Sequence, residues 1–251
     1  KGLSLIELMI AIMIGIFLTT GVTQLFVHSK QSYRMQENMS RLQENGRFAM
    51  EFLTRDIRMA DYSGCARYSL SNAVNNLDTA DANYDPVMHG FAQSIDGTNG
   101  AAGASIALDA PDSITIRMAL DSGIKVVAPY GPLTSANLKT TSDSGLAQGD
   151  IILVSDCSRA DIFQISDANP SGSSTVVHNT GAATSPGNLN PTACGGGNAH
   201  CLSKVYQGDA SIFKLSTLVY TIQNGAGGAL ALFRNGDELV EGVENMQILY
   251  G

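Results

Sequence analysis

With 251 residues and 44% hydrophobic content, the chain is long enough for one moderate globular domain plus extensions and too apolar to be disordered throughout. The formal net charge of −8 is unevenly distributed, since the residues from Tyr68 onward include seven Lys or Arg and seventeen Asp or Glu. This acidic C-terminal part argues against a phosphate-neutralising patch, so we expect no nucleic-acid partner.

An uncharged run of twenty residues extends from Leu8 to Val27. At about 1.5 Å per helical residue, it is long enough to cross a hydrocarbon layer of roughly 30 Å. It is too long for a typical secretory signal and no A-x-A-like site follows it, so we expect ordinary signal peptidase to leave it attached. Flanking charges indicate the orientation poorly, whereas cysteines beyond the run favour an exported C-terminal side.

Glu7 lies directly beside this apolar run. A carboxylate in lipid is costly and normally has a partner or a function. An interfacial position at the membrane surface is the simpler interpretation, and the position of Glu7 alone does not decide between the two.

The stem, residues 28–64, is predicted to be an amphipathic helix that continues the apolar run. Its apolar face repeats at three- and four-residue spacing: Met35, Met39, Leu42, Gly46, Ala49, Leu53, Ile57 and Ala60. Core packing is the expected role of the upper half of this face. Glu37 with Arg41, and Glu51 with Arg55, have the i,i+4 spacing of a solvated face. Gly64 is predicted to end a helix of about 58 residues.

The residues from Lys1 to Ile10 resemble the class III signal of type IV prepilins, in which a basic residue and a glycine precede a hydrophobic residue, with glutamate at the fifth mature position. The resemblance implies that a prepilin peptidase cleaves between Gly2 and Leu3 and that the new amino group of Leu3 is methylated. Glu7 would then be the fifth mature residue and would pair with the N-terminal ammonium of a neighbouring subunit in a filament core. Leu3 stands where phenylalanine is usual, and the helix proline of many major pilins is lacking, which argues against a major subunit.

Further stretches are similar to the PilW-type minor pilins. They are Arg41–Ala49, Arg55–Ala60, Gly64 with Cys65, Val154–Phe163 and Glu238–Gln247. The resemblance is strong over the first 65 residues and covers the remainder only in patches.

The resemblance implies an α+β, pilin-like fold, in which a long transmembrane and amphipathic helix precedes a mainly antiparallel β-sheet head. Residues 1–2 would be a remnant of the leader, 3–27 the filament-core helix, 28–64 the stem and 65–251 the head. PilW-type proteins usually continue, whereas this chain ends just after an apolar run at Ile248–Tyr250, so an extension beyond Gly251 stays open.

The implied function is that of a minor pilin that helps to initiate pilus assembly, and it stays open whether the protein remains at the pilus tip. The implied partners are other minor pilins and the major pilin through N-terminal helices, the prepilin peptidase and the inner-membrane assembly machinery, with a tip adhesin left open. Before assembly the head would lie in the periplasm, and afterwards in a cell-surface pilus. The alternatives are a minor pseudopilin of a type II secretion system and, from another class, a periplasmic enzyme or binding protein on an uncleaved anchor.

Beyond Cys65, short β-rich runs predict a mainly antiparallel sheet. The runs are Asp112–Leu120, Gly123–Tyr130, Asp150–Ser155, Ala160–Ser166, Thr175–His178, Ile212–Gln223 and Ala229–Arg234. Hairpin turns are expected at Asp156–Arg159 and at Asn235-Gly236, which precedes Glu238–Tyr250. The Gly-, Ser- and Asn-rich stretches Asp96–Ser105 and Asn169–Ala199 are expected to be loops.

The four cysteines allow three disulfide connectivities, and the sequence does not select one. We favour Cys194 with Cys201, which closes a Gly-rich loop, and Cys65 with Cys157, which joins the helix end to the sheet. Cys194, His200 and Cys201 could offer metal ligands, but structural zinc usually takes four ligands at shorter cysteine spacing, so we expect disulfides and no metal.

Other chemistry has weak support. Asp78, Asp81 and Asp85 form an acidic cluster that lacks the order of an EF-hand and is better interpreted as a solvated loop. Tyr68, Tyr84, Phe91 and Tyr130 lack interleaved cations, so they are predicted to be core or turn residues and not a stacking surface for single-stranded DNA. No H-E-x-x-H, G-x-S-x-G or Walker motif occurs in the sequence, and we expect a protein without cofactors that is not an enzyme.

Overall fold

The computed structural model describes residues 4–65, 69–100, 110–141, 145–167, 169–180, 184–189 and 201–249. The chain divides into two units, of which the first ends at Met50 and the second begins at Glu51. One long helix, α1 (Leu5–Arg58, 54 residues), forms the first unit and supplies the first turns of the second. A β-sheet forms most of the second unit, so the expected α+β layout of a long apolar helix followed by a mainly antiparallel sheet is confirmed.

The helix ends earlier than the sequence predicts. Arg58 is its last residue, and Asp61, in the turn that follows, has a left-handed φ of 64°. The Asp61 carboxylate stabilises this turn because it accepts hydrogen bonds from the Ser69 hydroxyl and the Leu70 N–H, both at 2.8 Å. The prediction that Gly64 ends the helix is therefore wrong.

The apolar face of the stem is only partly used for packing within the chain. Met35, Met39 and Leu42 remain more than half exposed. In the upper half, Leu53 is half-buried but Ile57 is 40% exposed, so core packing is confirmed only in part. The buried side chain in the last turn of the helix is that of Asp56, which lies outside the predicted apolar stripe.

Among the described residues, eight strands form the main sheet. They are β1 (Val74–Asn75), β2 (Ile95–Thr98), β3 (Ser113–Lys125), β5 (Ile151–Ser155), β6 (Ala160–Gln164), β8 (Ser211–Asn224), β9 (Leu230–Arg234) and β10 (Asp237–Glu241). The order is β1-β6-β5-β8-β3-β2, and β9 pairs with the C-terminal half of β8 and with β10. Within the described chain, only β1 and β6 pair in parallel.

Smaller elements complete the second unit. Strands β4 (Asn137–Lys139) and β7 (Thr175–Val177) form a separate antiparallel pair. The short helices are a 3-10 turn at Leu70–Asn72, α2 (Pro86–His89) and α3 (Pro170–Ser173).

Several strand predictions differ from the structure in their boundaries. The runs predicted at Asp112–Leu120 and Gly123–Tyr130 are not two strands: β3 joins the first run to the start of the second, with a register irregularity between Asp121 and Ile124, and residues 126–130 lie beyond its end. Strand β10 ends at Glu241, so most of the run Glu238–Tyr250 is not a strand. The stretch Asp96–Ser105 was expected to be a loop, but its first residues belong to β2. Both hairpin turns are confirmed.

Alternating side chains of the central strands face two hydrophobic cores. Ile152 and Phe163 belong to one core, together with Tyr206, and Leu153 and Ile162 belong to the other. Because successive strand residues point to opposite faces, this division shows that β5 and β6 are covered on both sides. Continuous apolar runs, such as Ile151–Val154, follow from this double burial.

Candidate anchoring and assembly site

The Glu7 side chain is hydrogen-bonded to the backbone at the start of α1. The Ser4 N–H donates to Glu7 Oε2 at 3.0 Å, and the Ser4 hydroxyl accepts from the Ile6 N–H at 3.3 Å. This reciprocal arrangement is a capping box, in which a serine and a glutamate three residues later satisfy free N–H groups of the first turn. This cap was not predicted from the sequence, although Ser4-x-x-Glu7 is its usual signature. Gly2 and Leu3 lie outside the described residues.

The apolar run of α1 presents its side chains to the surroundings. Phe17 is 82% exposed, and Leu18 and Leu25 are more than half exposed. The helix is long and apolar enough to span a membrane, consistent with single-pass anchoring. Contact between apolar side chains and water is unfavourable in free energy. Lipid or other apolar helices would therefore cover these side chains.

Threonines within the run are compatible with an apolar environment. Thr20 donates to the Ile16 carbonyl at 2.8 Å, and Thr23 donates to the Thr19 carbonyl at 2.7 Å. Thr19 likewise bonds back to the carbonyls of Gly15 and Ile16. Because these hydroxyl protons are already satisfied inside the helix, the threonines need no external hydrogen-bond acceptor.

In the second unit, a disulfide joins Cys65 to Cys157, the pair that the sequence analysis favoured. It connects the segment after α1 to the β5–β6 hairpin, with a sequence separation of 92 residues. Cys201 is also disulfide-bonded, whereas Cys194 lies outside the described residues. Disulfides persist in oxidising compartments, and this cross-link therefore suits an exported head.

Asp56 connects the last turns of α1 to the sheet. Its carboxylate accepts hydrogen bonds from the Tyr220 hydroxyl at 2.5 Å and from Arg234 Nη1 at 3.2 Å, and Arg55 Nε lies 3.1 Å from the other oxygen. Burial, and then the bond to Asp56, raises the pKa of Tyr220 to about 12. The Phe52 ring packs beneath the guanidinium groups of Arg55 and Arg234. A buried carboxylate with this many donors positions the helix end on β8 and β9.

Two further aspartates organise the β5–β6 region. The fully buried Asp161 accepts from the Tyr206 hydroxyl at 2.6 Å, the Ser203 hydroxyl at 2.5 Å and the Asn76 amide at 3.1 Å. Asp156 forms an ion pair with Lys204. Burial would raise the pKa of Asp156, but its hydrogen bonds, that with Lys204 foremost, hold that pKa well below its usual range. Asp156 and Asp161 connect strands to loops through these hydrogen bonds. A polar network whose groups are all satisfied stabilises such connections.

The predicted acidic cluster is held by local turns. Asp81 accepts from the Ser185 hydroxyl at 2.7 Å and from the Asn83 N–H at 2.8 Å, and Asp85 caps α2 by accepting from the Val87 N–H. Asp78 accepts from the Ala80 N–H at 2.9 Å. Among the described residues, no group of three or more metal-ligating side chains converges on one point.

The aromatic residues considered for DNA stacking do not share one environment. Phe91 is buried in the core and Tyr84 packs beside His89 with 5.5 Å between ring centroids. Tyr130 is 44% exposed and lines a narrow cleft with Lys139 and Lys204. Tyr68 lies outside the described residues.

No protein-family model, no curated protein and no solved structure matches this chain. A functional conclusion therefore depends on its own residues. The features that any function must accommodate are an exposed apolar helix, the carboxylate at its first turn, and a disulfide-linked sheet joined to the other end of that helix.

Proposed function

We propose that this protein is a minor pilin of the type IV pilus, anchored in the bacterial inner membrane by α1 before assembly. The observation that carries the proposal is the position of Glu7 in the first turn of a long helix with exposed apolar side chains. When such helices pack together in a filament core, the Glu7 carboxylate is removed from water together with the apolar side chains. It then requires a counter-charge, which the N-terminal ammonium of an adjacent subunit supplies.

The second unit supports an exported location for the head. Its Cys65–Cys157 disulfide fits an oxidising compartment such as the periplasm, where disulfides form and persist. In this proposal the head extends from the membrane, and the N-terminal helix joins other minor pilins and the major pilin to initiate a filament.

The deciding experiment expresses the full gene with and without a prepilin peptidase and measures the intact mass of the purified chain. We expect a methylated N-terminus at Leu3 only when the peptidase is present. A periplasmic enzyme or binding protein on an uncleaved anchor predicts the same untrimmed mass in both strains, and that result would overturn the proposal.

A deletion strain separates the pilus from the related secretion apparatus. We expect fewer pili and normal type II secretion in the deletion strain. Lost secretion with normal pilus number would identify a minor pseudopilin instead.

A further inference from the structure

The apolar run of α1 contains a single amide side chain, that of Gln24. Three residues of the run follow it, so the amide lies roughly 5 Å inside the hydrocarbon layer when the run spans a membrane. The Gln24 side chain is exposed, and its amide makes no hydrogen bond within the described part of the chain. The threonines of the run differ, because their hydroxyls donate to carbonyls of their own helix. Gln24 is therefore a polar group of the run that its own helix leaves unsatisfied.

Lipid cannot supply the hydrogen bonds that Gln24 lacks. An amide in hydrocarbon keeps two N–H donors and a carbonyl acceptor that water no longer satisfies, which is costly in free energy. Polar side chains of transmembrane helices obtain such hydrogen bonds from neighbouring helices. A second helix that places an amide at the depth of Gln24 would remove this cost.

Gln24 shares one face of α1 with Thr20, Val27 and Gln31, which we call the amide face. These four residues follow one another at four-, three- and four-residue spacing. Because α1 is one uninterrupted helix, the amide face continues four residues later into the exposed stripe of the stem that begins at Met35. The small Thr20 side chain allows a second helix to approach closely. An unsatisfied amide and an exposed apolar surface therefore lie on one side of the helix.

A second copy of this chain meets the requirements of the amide face. Anchors inserted in the same direction hold two helices parallel, so the Gln24 side chains of both copies lie at the same depth. An amide both donates and accepts, so two facing Gln24 side chains satisfy each other. Outside the membrane, Glu37 and Glu44 lie on the side of the helix opposite to Met35 and Leu42. Their like charges therefore do not face each other in such a pair.

We propose that the amide face is the contact surface between two parallel copies of this chain in the membrane, with the two Gln24 amides hydrogen-bonded to each other. The two Gln31 side chains meet in the same way seven residues further on, where water competes for their hydrogen bonds. The inference rests on one part of the proposed function, the anchoring by α1, and adds that the subunit is paired before a filament forms.

The test measures pairing of the full chain in a membrane. Two differently tagged copies are expressed together in a strain without other pilus subunits, one tag is captured in mild detergent, and recovery of the other tag reports the pair. Q24L removes the amide but keeps a side chain of similar size, and Q24N keeps an amide. The double variant Q24L with L25Q has the same composition as the original chain, but its amide lies on a different side of the helix.

Photo-crosslinking maps the contact with a matched pair of phenylalanines. Phe17 lies seven residues before Gln24 and therefore on the same side of the helix, whereas Phe26 lies on the opposite side. Both rings are exposed, so benzoylphenylalanine replaces either one without displacing a packed side chain. The group at position 17 reports the amide face, and the group at position 26 is the control.

We expect Q24L to recover about tenfold less of the second tag than the original chain, because two interhelical hydrogen bonds are lost. Q24N should retain most of the pairing. Crosslinks between copies should form from position 17 and not from position 26, and the double variant should lose those from position 17.

Undiminished recovery with Q24L would overturn the proposal, as would an original chain that does not pair. Crosslinks from position 26 alone, or crosslinks from position 17 that persist in the double variant or reach only other proteins, would do the same. Cleavage at Leu3 and pilus number are not measured in this experiment, so each of these results would leave the minor-pilin proposal standing.

Discussion

Tyr220 on β8 donates a 2.5 Å hydrogen bond to the buried carboxylate of Asp56 in the last turn of α1. The same carboxylate oxygen accepts from Arg234 on β9. One acidic side chain therefore attaches the end of the helix to two neighbouring strands, and the helix end and the sheet should lose stability together when it is removed.

We expect Asp56→Ala to lower the free energy of unfolding of the second unit by about 3 kcal/mol, because the Tyr220 hydroxyl and the Arg234 guanidinium both lose a buried partner. Tyr220→Phe keeps the ion pair and should cost about 1 kcal/mol. Urea denaturation of the detergent-solubilised full chain, followed by near-ultraviolet circular dichroism, measures both values. Equal losses for the two variants would show that Asp56 is not the shared partner.

Stability should also fall at high pH because of Tyr220. Its pKa is raised to about 12 in the folded protein by burial and by Asp56, whereas an unfolded tyrosine titrates near pH 10. The neutral hydroxyl is thus favoured by folding. The stability that the neutral hydroxyl contributes is fully present below pH 10. It is lost as the pH rises through 12, which lowers the free energy of unfolding by an amount on the order of 2 kcal/mol. Unfolding measurements at pH 9 to 12 should show a shallower decline in Tyr220→Phe than in the original chain.

The parts of the fold that follow from local pattern could be predicted from the sequence. The long apolar run and the hairpin signal Asn235-Gly236 act through neighbouring residues, so the presence of the long helix and the β9–β10 turn are as expected, although the helix ends at Arg58 and not at Gly64. The burial of Asp56 and Asp161 could not be predicted, because, apart from Arg55 beside Asp56, their side-chain partners lie 42 to 178 residues away in sequence. Glu7 was singled out by its position beside the apolar run and given its role by the family resemblance, yet its local bond to Ser4 was missed.

The Cys65–Cys157 disulfide should contribute strongly to stability. A cross-link that closes a loop of 92 residues is expected to stabilise the folded state by about 4–5 kcal/mol, through the lower entropy of the unfolded chain. Cys65→Ser, Cys157→Ser and the double variant should therefore lose similar amounts, since each removes the same bond. Thermal and urea unfolding measure the losses. Additive losses from the two single variants would contradict this account.

Gly64 and Gly46 offer a matched pair of glycine substitutions. Gly64 has a φ of +79°, and an added Cβ would overlap the ring of Phe213. We expect Gly64→Ala to cost about 2–4 kcal/mol, from backbone strain and overpacking. Gly46 is helical with nothing within 4 Å of the added Cβ, so Gly46→Ala should gain about 0.5–1 kcal/mol. Urea unfolding would measure the first change and helix content by circular dichroism the second; a tolerated Gly64→Ala would refute the predicted clash.

The two roles of Glu7 can be separated by substitutions at Glu7 and Ser4. The Glu7 carboxylate accepts from the Ser4 N–H, a role that a glutamine can also fill, whereas only a carboxylate supplies the charge required for pairing in a filament core. We expect Glu7→Gln to retain the helix content of the purified chain but to reduce pilus number as severely as Glu7→Ala. Ser4→Ala removes the hydroxyl that caps the helix. It should destabilise the helix by about 1 kcal/mol and leave pilus number almost unchanged. Circular dichroism and counting of pili by electron microscopy measure the two effects independently. If Glu7→Gln assembles normally while Ser4→Ala does not, Glu7 acts as a helix cap and the charge-pairing role is wrong.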